Sequence, residues 1–376
     1  MDTTTSQITF DEKGVCNYCR SFNEIAEKTI HRAEEIKSEE LARAVEAVKK
    51  IGRNQEYDCI LGLSGGVDST YLAYLTSELG LRPLCVHFDN GWNSEIAVQN
   101  IHNIVNKLGF DLHTFVMDWD EFKDIQLSYF KASVLDLEVP TDQFIFAALY
   151  KIAKENGIRT ILSGNNLATE FVLPFDWRYD KFDITNLKSI HAKYAKGRLR
   201  KLPKLGPIQR HWYEVALQIK DVKLLNLIAY KKLEVKKIIS DKLGWKDYGG
   251  KHYESIFTRW YQGVYLPTKF SIDKRKAHLS NMILNGEITK DEALEELKNP
   301  TYDPSLQLED NEYVAKKWGF SEAEFTKYMD LPPRDHRDFK TDKNFGYQIR
   351  FILFRLLTYL PIRCGRLLGL LPRQTL

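Results

Sequence analysis

The chain has 376 residues, enough for two domains at the usual size of about 150 residues each. Its hydrophobic content of 43% is that of an ordinary globular protein, and 54 basic against 51 acidic residues leave a net charge of +3, too balanced for nucleic acid to be the main partner. Residues 1–7 are polar and carry no secretory signal, and an odd, sparse set of five cysteines (16, 19, 59, 85 and 364) reads as reduced cytoplasmic thiols, not a disulfide framework.

Residues 1–20 form a small head ending in Cys16-Asn17-Tyr18-Cys19. Over 21–52, Ile25, Ala26, Ile30, Ile36, Leu41, Val45 and Val48 recur at threes and fours, which predicts helix and completes an N-terminal unit, 1–52. Four short apolar runs follow, at 59–63, 84–88, 112–116 and 160–162, with helix-like stretches at 69–79, 94–108, 119–133 and 141–156. Apolar strands alternating with helices predict an α/β unit over 53–175, a parallel sheet covered on both faces. Ligands of such sheets lie at the carboxyl ends of the strands, so residues 64–70, 87–93 and 163–170 should gather at one edge. A third unit, 176–305, opens on a basic run through Lys188, Arg198, Arg200, Lys201, Lys204 and Arg210, which suits either a solvated face or an anionic substrate or partner. Residues 212–240 look helical, and so do 289–298. The extension 306–376 ends in a tail, 345–372, where apolar clusters alternate with Arg350, Arg355, Arg363 and Arg366. The arginines and Pro361 argue against a membrane-spanning helix; a basic amphipathic segment suits peripheral contact with an anionic inner-membrane surface, or packing on a domain or partner.

Chemistry concentrates after the first strand, in Ser64-Gly65-Gly66-Val67-Asp68-Ser69-Thr70. A strand running into a glycine-rich loop that opens a helix points backbone N–H groups at an anion. Gly65 and Gly66 allow close approach of phosphate, Asp68 offers a carboxylate to magnesium, and Ser64, Ser69 and Thr70 offer hydroxyls. No Lys follows the glycines, so this is not the loop that cradles a transferred γ-phosphate. The motif resembles the S-G-G-x-D-S loop of the PP-loop ATP pyrophosphatases (adenine nucleotide alpha hydrolase-like), which cut ATP between the α and β phosphates, adenylylate an oxygen and let a nitrogen or sulfur nucleophile displace AMP.

In enzymes with that loop the end of the second strand lies against adenine. The resemblance therefore implies base contacts near His87 and Phe88, and ribose or substrate contacts from Asp89 or Asn93, although Asn90-Gly91 also makes an ordinary turn. After the fourth strand, Ser163, Gly164 and Asn165 suit ribose or the α-phosphate, and Thr169 and Glu170 can simply open a helix. Gly249-Gly250 precede Lys251, His252 and Glu254, with Arg259 further on. Lys251 or Arg259 can neutralise phosphate charge, and His252, Glu254 or Glu170 can take a proton from an incoming amine; a charged helix face packed on a neighbour fits the same spacing. Cys16 and Cys19 make half of a tetrahedral zinc site or a redox pair.

Taken together, these segments resemble the N-acetyl sugar amidotransferases of bacterial surface-polysaccharide and flagellar-sugar biosynthesis over residues 1–305. The resemblance rests on Ile8-Thr9-Phe10-Asp11-Glu12-x-Gly14-Val15-Cys16-x-x-Cys19, on 64–70, 89–94 and 163–170, and on the block 249–278. It implies ATP and magnesium, adenylylation of a sugar acetamido oxygen, and displacement of AMP by ammonia to give an acetamidino group. The implied substrate is a nucleotide-linked diacetamido sugar or uronic acid of O-antigen or a related glycan, with the basic run at 188–210 holding its diphosphate or carboxylate. Ammonia would come from separate glutaminase and cyclase-like subunits resembling those of imidazole-glycerol-phosphate synthase. Family members carry an earlier C-x-x-C ahead of the stretch aligned with residues 1–4, so the expectation is an in-frame upstream pair that completes a structural zinc site. The rival readings are a tRNA-modifying PP-loop enzyme, thiolating or lysidine-forming, and a non-catalytic scaffold that docks a glutaminase at the membrane.

Overall fold

The computed structural model describes residues 1–250, 252–343, 348 and 352. Lys251, Cys364 and the reading of the arginine-rich tail lie outside the described residues.

Five strands form one wholly parallel sheet: β1 (Cys59–Gly62), β2 (Pro83–Asp89), β3 (Asp111–Val116), β4 (Thr160–Leu162) and β5 (Lys220–Val222), in the order β3-β2-β1-β4-β5. Register is set by Cys59 opposite Pro83, Ile60 opposite Ile161 and Thr160 opposite Lys220. The chain winds outward from β1 in both directions, so a crevice opens between the carboxyl ends of β1 and β4, where such sheets bind ligands.

Side chains alternate across the pleat. Ile60, Val86, Phe88 and Ile161 enter one core with Trp92, Phe130, Trp260 and Trp318. Cys59, Leu61, Cys85 and Leu162 enter the other with Phe22, Leu72, Ile104 and Ile239. The second core takes in the head helices α1 (Asn17–Ala26) and α2 (Glu34–Gly52). Connections run through α3 (Val67–Glu78), α4 (Glu95–Leu108), α5 (Trp119–Ala132) and α6 (Val139–Glu155), within two residues of the predicted helices. Ser94 and Asp118 cap α4 and α5 by accepting from Ala97 N–H and Glu121 N–H.

The rest is mainly helical: α7 (Leu167–Glu170), α8 (Ile184–Tyr194), α9 (Pro207–Val215), α10 (Lys232–Leu243), α11 (Ile256–Trp260), α12 (Leu266–Phe270), α13 (Arg275–Leu284), α14 (Lys290–Glu296), α15 (Pro304–Trp318) and α16 (Glu322–Met329). Two sequence expectations need correction. The stretch 212–240, read as helical, contains β5, a three-residue polar edge strand whose order comes from pairing with β4. β3, read as a covered apolar strand, is an edge strand that is largely exposed, with Phe115 half-buried against the core. Among the described residues no helix is long and apolar enough to cross a membrane.

Candidate active site

The 64–70 loop leaves β1 and turns into α3. Gly65 sits at φ +76°, and a Cβ there would lie 2.5 Å from the Ala97 carbonyl oxygen at the start of α4. A methyl at Gly66 would meet Ser64 Oγ at 3.1 Å, the Tyr248 hydroxyl at 3.4 Å and Glu254 Oε1 at 3.5 Å. Only glycine fits at Gly65, a methyl at Gly66 would crowd Ser64, and a glycine turn at a helix start is the kind of cradle that takes a pyrophosphate. Ser69 braces the turn: its Oγ accepts from Ser64 N–H at 3.2 Å and donates to the Gly66 carbonyl at 3.3 Å. Ser64 is exposed, whereas Val67 and Thr70 are buried under the loop. From beneath, the buried indole of Trp245 donates to the Gly65 carbonyl at 2.9 Å.

Asp68, in the first turn of α3, is held by two long-range donors. The Tyr230 hydroxyl and Asn166 Nδ2 (3.2 Å) both donate to Oδ1. Both bonds fall on the same oxygen, so the carboxylate is oriented and keeps Oδ2 for a cation. Burial and Asp68 push the Tyr230 phenol up, which keeps it a donor.

The turn after β4 packs on the same helix start: a Cβ on Gly164 would come within 3.3 Å of Ser69 N. Asn166 caps α7 through Thr169 N–H at 3.0 Å while bonding Asp68, so one side chain ties β4 to the loop. Ser163 Oγ accepts from Asn165 N–H at 3.2 Å, and Asn165 is exposed at the rim. Glu170 closes α7, and its charge is felt by Tyr230.

At the end of β2, His87 is buried, and desolvation pulls its pKa below the ordinary histidine value. Its Nδ1 donates to the Leu63 carbonyl at 3.1 Å, and its Nε2 accepts from Asn93 Nδ2 at 3.2 Å, a neutral tautomer that joins β2 to the residue before the loop. Phe88 is buried in the core, and Asp89 Oδ1 accepts from Gly91 N–H at 2.9 Å. Asn93 forms an isolated antiparallel bridge with Ser255; Ser94 N–H donates to the Glu254 carbonyl at 2.8 Å, and Ile256 N–H to the Trp92 carbonyl at 2.9 Å. Segments 160 residues apart are thereby stitched together, and Glu254 is delivered to the loop.

Glu254 Oε1 lies 3.3 Å from His252 Nδ1. The Tyr248 hydroxyl stands beside Val67 N–H and the same carboxylate. Burial raises the Glu254 pKa, but His252 outweighs it and holds the group below the usual carboxylate range. Burial and Glu254 push the Tyr248 phenol up. His252 adopts φ +66°, uncommon for a residue with a side chain, and its ring stands 5.8 Å from that of His278 on α13.

The structure therefore brings together Ser64, Gly65, Gly66, Asp68, Ser69, Gly164, His252 and Glu254. Arg259 is engaged elsewhere: its Nε and Nη2 each donate to Asp310 at 2.7 Å. In the basic run, Lys188, Arg198 and Arg200 are exposed, Lys201 pairs with Asp118, and Arg210 pairs with Glu214. The Arg200, Lys201 and Leu202 amides donate to the Glu121 carboxylate, which fastens the run to α5. Cys16 and Cys19 meet with sulfurs 3.3 Å apart, and among the described residues no third His, Cys, Asp or Glu joins them in a metal-binding group. Burial and Cys16 push the Cys19 thiol up to about 11. The sequence did not single out Asn166, Tyr230, Trp245 or Tyr248.

Comparison with known proteins places this geometry. Residues 28–224, more than half of the chain, match the asparagine synthase family, and residues 254–352 match the family described as LPS biosynthesis protein WbpG-like, C-terminal domain. An uncharacterized protein of Methanocaldococcus jannaschii is 28% identical over 116 residues, 30% of this chain and 39% of that protein. The tRNA(Ile)-lysidine synthase of Thermus thermophilus is 27% identical over 110 residues, 29% of this chain and 20% of that protein. The tRNA-specific 2-thiouridylase MnmA 2 of Fusobacterium nucleatum is 24% identical over 140 residues, 35% of this chain and 38% of that protein. The chain thus spans well under half the length of these relatives. Among solved structures, the NMN synthetase of Francisella tularensis aligns at TM-score 0.33 and 14% identity over 77% of this chain and 98% of that one. The match is to a superfamily of ATP-using synthetases, in which ATP and magnesium are reactants. The chain thus belongs to the asparagine synthase family of the PP-loop superfamily, and its WbpG-like C-terminal region is consistent with the WbpG-like sugar amidotransferases within that superfamily.

Proposed function

We propose that this chain converts an acetamido group of a nucleotide-linked diacetamido sugar or uronic acid into an acetamidino group, at the cost of ATP cleavage to AMP and pyrophosphate. The observation that carries the reading is the bridge between residues 92–94, after β2, and residues 254–256, which open the WbpG-like region; it sets Glu254, paired with His252 just before that region, beside the nucleotide loop.

An amide carbon is a poor electrophile. Attack of the acetamido oxygen on the α-phosphorus forms an O–P bond, breaks the bond to the bridging oxygen, and releases pyrophosphate into the glycine cradle. Ammonia adds to the resulting O-adenylyl imidate carbon, a proton leaves the nitrogen, and the C–O bond breaks to expel AMP. His252 takes that proton, and Glu254, 3.3 Å away and held ionised, stabilises the imidazolium. Magnesium, held through Asp68, would supply charge neutralisation at the phosphates. Ammonia would come from a partner glutaminase and a cyclase-like subunit, and the product would enter O-antigen or a related glycan.

The test is product analysis with ATP, magnesium, ammonium and a nucleotide-linked diacetamido sugar. The reading predicts AMP and pyrophosphate only when sugar and ammonium are both present, with an amidine found on the sugar by mass. AMP formation that depends on tRNA instead would support the rival suggested by the partial likeness to tRNA-modifying enzymes.

A further inference from the structure

A second polar cluster lies just beyond the loop, and the steps above do not use it. Thr258 follows Glu254 by four residues, and its hydroxyl donates to Glu138 Oε1 at 3.0 Å. Glu138 stands at the start of α6 beside Asp142, whose Oδ2 is 3.1 Å from Lys181 Nζ. Lys181 is fully committed: it also bonds both oxygens of buried Asp136 at 2.9 Å. Lys274, the N-cap of α13, lies with its Nζ 5.7 Å from the Tyr261 ring and makes no ion pair among the described residues. His278, one turn further along α13, faces His252. Thr258 thus ties Glu138 to the helix that follows Glu254, His278 joins α13 to His252, and Lys274 lies within electrostatic reach of Glu138 and Asp142.

Glu138, Lys181 and Lys274 are closely surrounded by protein yet keep some solvent-exposed surface, and Asp142 is 39% exposed. Burial and Asp142 push the Glu138 carboxyl up to about 7, and burial pulls Lys274 below its ordinary value. Lys181 stays charged because Asp136 and Asp142 outweigh its desolvation. The cluster offers carboxylate acceptors and one ammonium donor, with the charges close to cancelling. A diphosphate would meet two carboxyls and be repelled. Hydroxyl and acetamido groups would find acceptors for O–H and N–H at Glu138 and Asp142, and a donor for a carbonyl oxygen at Lys274.

We infer that Glu138, Asp142 and Lys274 form the subsite for the acetamido-sugar ring, and that the carrier's diphosphate lies outside it. This rests on the function proposed above, because the subsite needs an acceptor whose acetamido oxygen reaches the loop. The experiment is calorimetry in the presence of α,β-methylene-ATP, with a UDP-linked 2,3-diacetamido hexose and with UDP alone as titrants. Glu138→Gln and Lys274→Met should each weaken the sugar nucleotide about tenfold or more, while UDP and the ATP analogue bind as in the wild type. Asp142→Asn, at the most exposed member, repeats the test should either variant fail to fold. Equal sugar affinity in wild type and variants, equal loss for UDP, or no sugar binding by the wild type overturns the subsite. AMP release is read separately in the wild type. Sugar binding without AMP sinks the proposed reaction and leaves the subsite standing; AMP release with unchanged sugar affinity in the variants sinks the subsite alone.

Discussion

Gly65→Ala is the sharpest single perturbation of the nucleotide loop. The residue holds φ +76°, which costs an L-residue about 1–2 kcal/mol, and the new methyl would sit 2.5 Å from the Ala97 carbonyl oxygen. That atom is backbone in the first turn of α4, so no side-chain rotation relieves the overlap. Either α4 or the loop must shift by about an ångström, and displacements of that size cost on the order of 100-fold in a positioned reaction. Gly62→Ala is the matched control: it lies in β1 with ordinary φ, and its Cβ would meet nothing within 4 Å. Calorimetric ATP affinity and thermal unfolding should separate the two. We expect Gly65→Ala to lose measurable ATP binding and at least about 2 kcal/mol of stability, with Gly62→Ala unchanged or slightly more stable. If Gly65→Ala binds ATP with wild-type affinity, the glycine cradle is not the nucleotide site.

Three further outcomes follow from the same geometry. Asp68→Asn keeps an oxygen for Tyr230 and loses the charge, so the fold should survive while magnesium-dependent ATP affinity falls at least about tenfold; unchanged magnesium dependence would remove Asp68 from the metal site. Trp245→Phe leaves the buried Gly65 carbonyl without its 2.9 Å donor and should cost about 1–3 kcal/mol in urea denaturation, against a contrary result under about 0.5 kcal/mol. His336 is buried, stacked on Tyr179 and held down to about 4 by desolvation, well below its unfolded value near 6.5. The unfolded chain binds the extra proton, so stability is fully present above pH 6.5 and falls by up to about 3 kcal/mol as pH drops to 4. His336→Gln should flatten stability over that window by about one proton relative to wild type, and identical pH slopes would refute the assignment.

The parts of the fold that were legible are those with local signals. The strand at β1, the glycine turn and the helix after it are contiguous, and the alternation of short apolar runs with helices fixes a parallel sheet and its active edge. Contacts between distant segments left no such trace. Asn166 and Tyr230 reach Asp68 across 98 and 162 residues, and Trp245 reaches Gly65 across 180. Aromatic side chains at these positions look like core in sequence. Arg259 illustrates the converse: its charge suggested a phosphate partner, but Asp310, 51 residues on and nearly fully buried, captures the guanidinium in a bidentate pair. β5 escaped notice because three polar residues carry no strand period, and only the edge of β4 gives them a partner.

The central claim is that the sugar's own acetamido oxygen attacks the α-phosphorus. Sugar nucleotide carrying oxygen-18 in its acetamido carbonyl, turned over with ATP and ammonium, tests this directly by mass spectrometry of the products. The account predicts AMP with one heavy oxygen, unlabelled pyrophosphate and an amidine free of label. Unlabelled AMP formed alongside the amidine, or label in pyrophosphate, would contradict it.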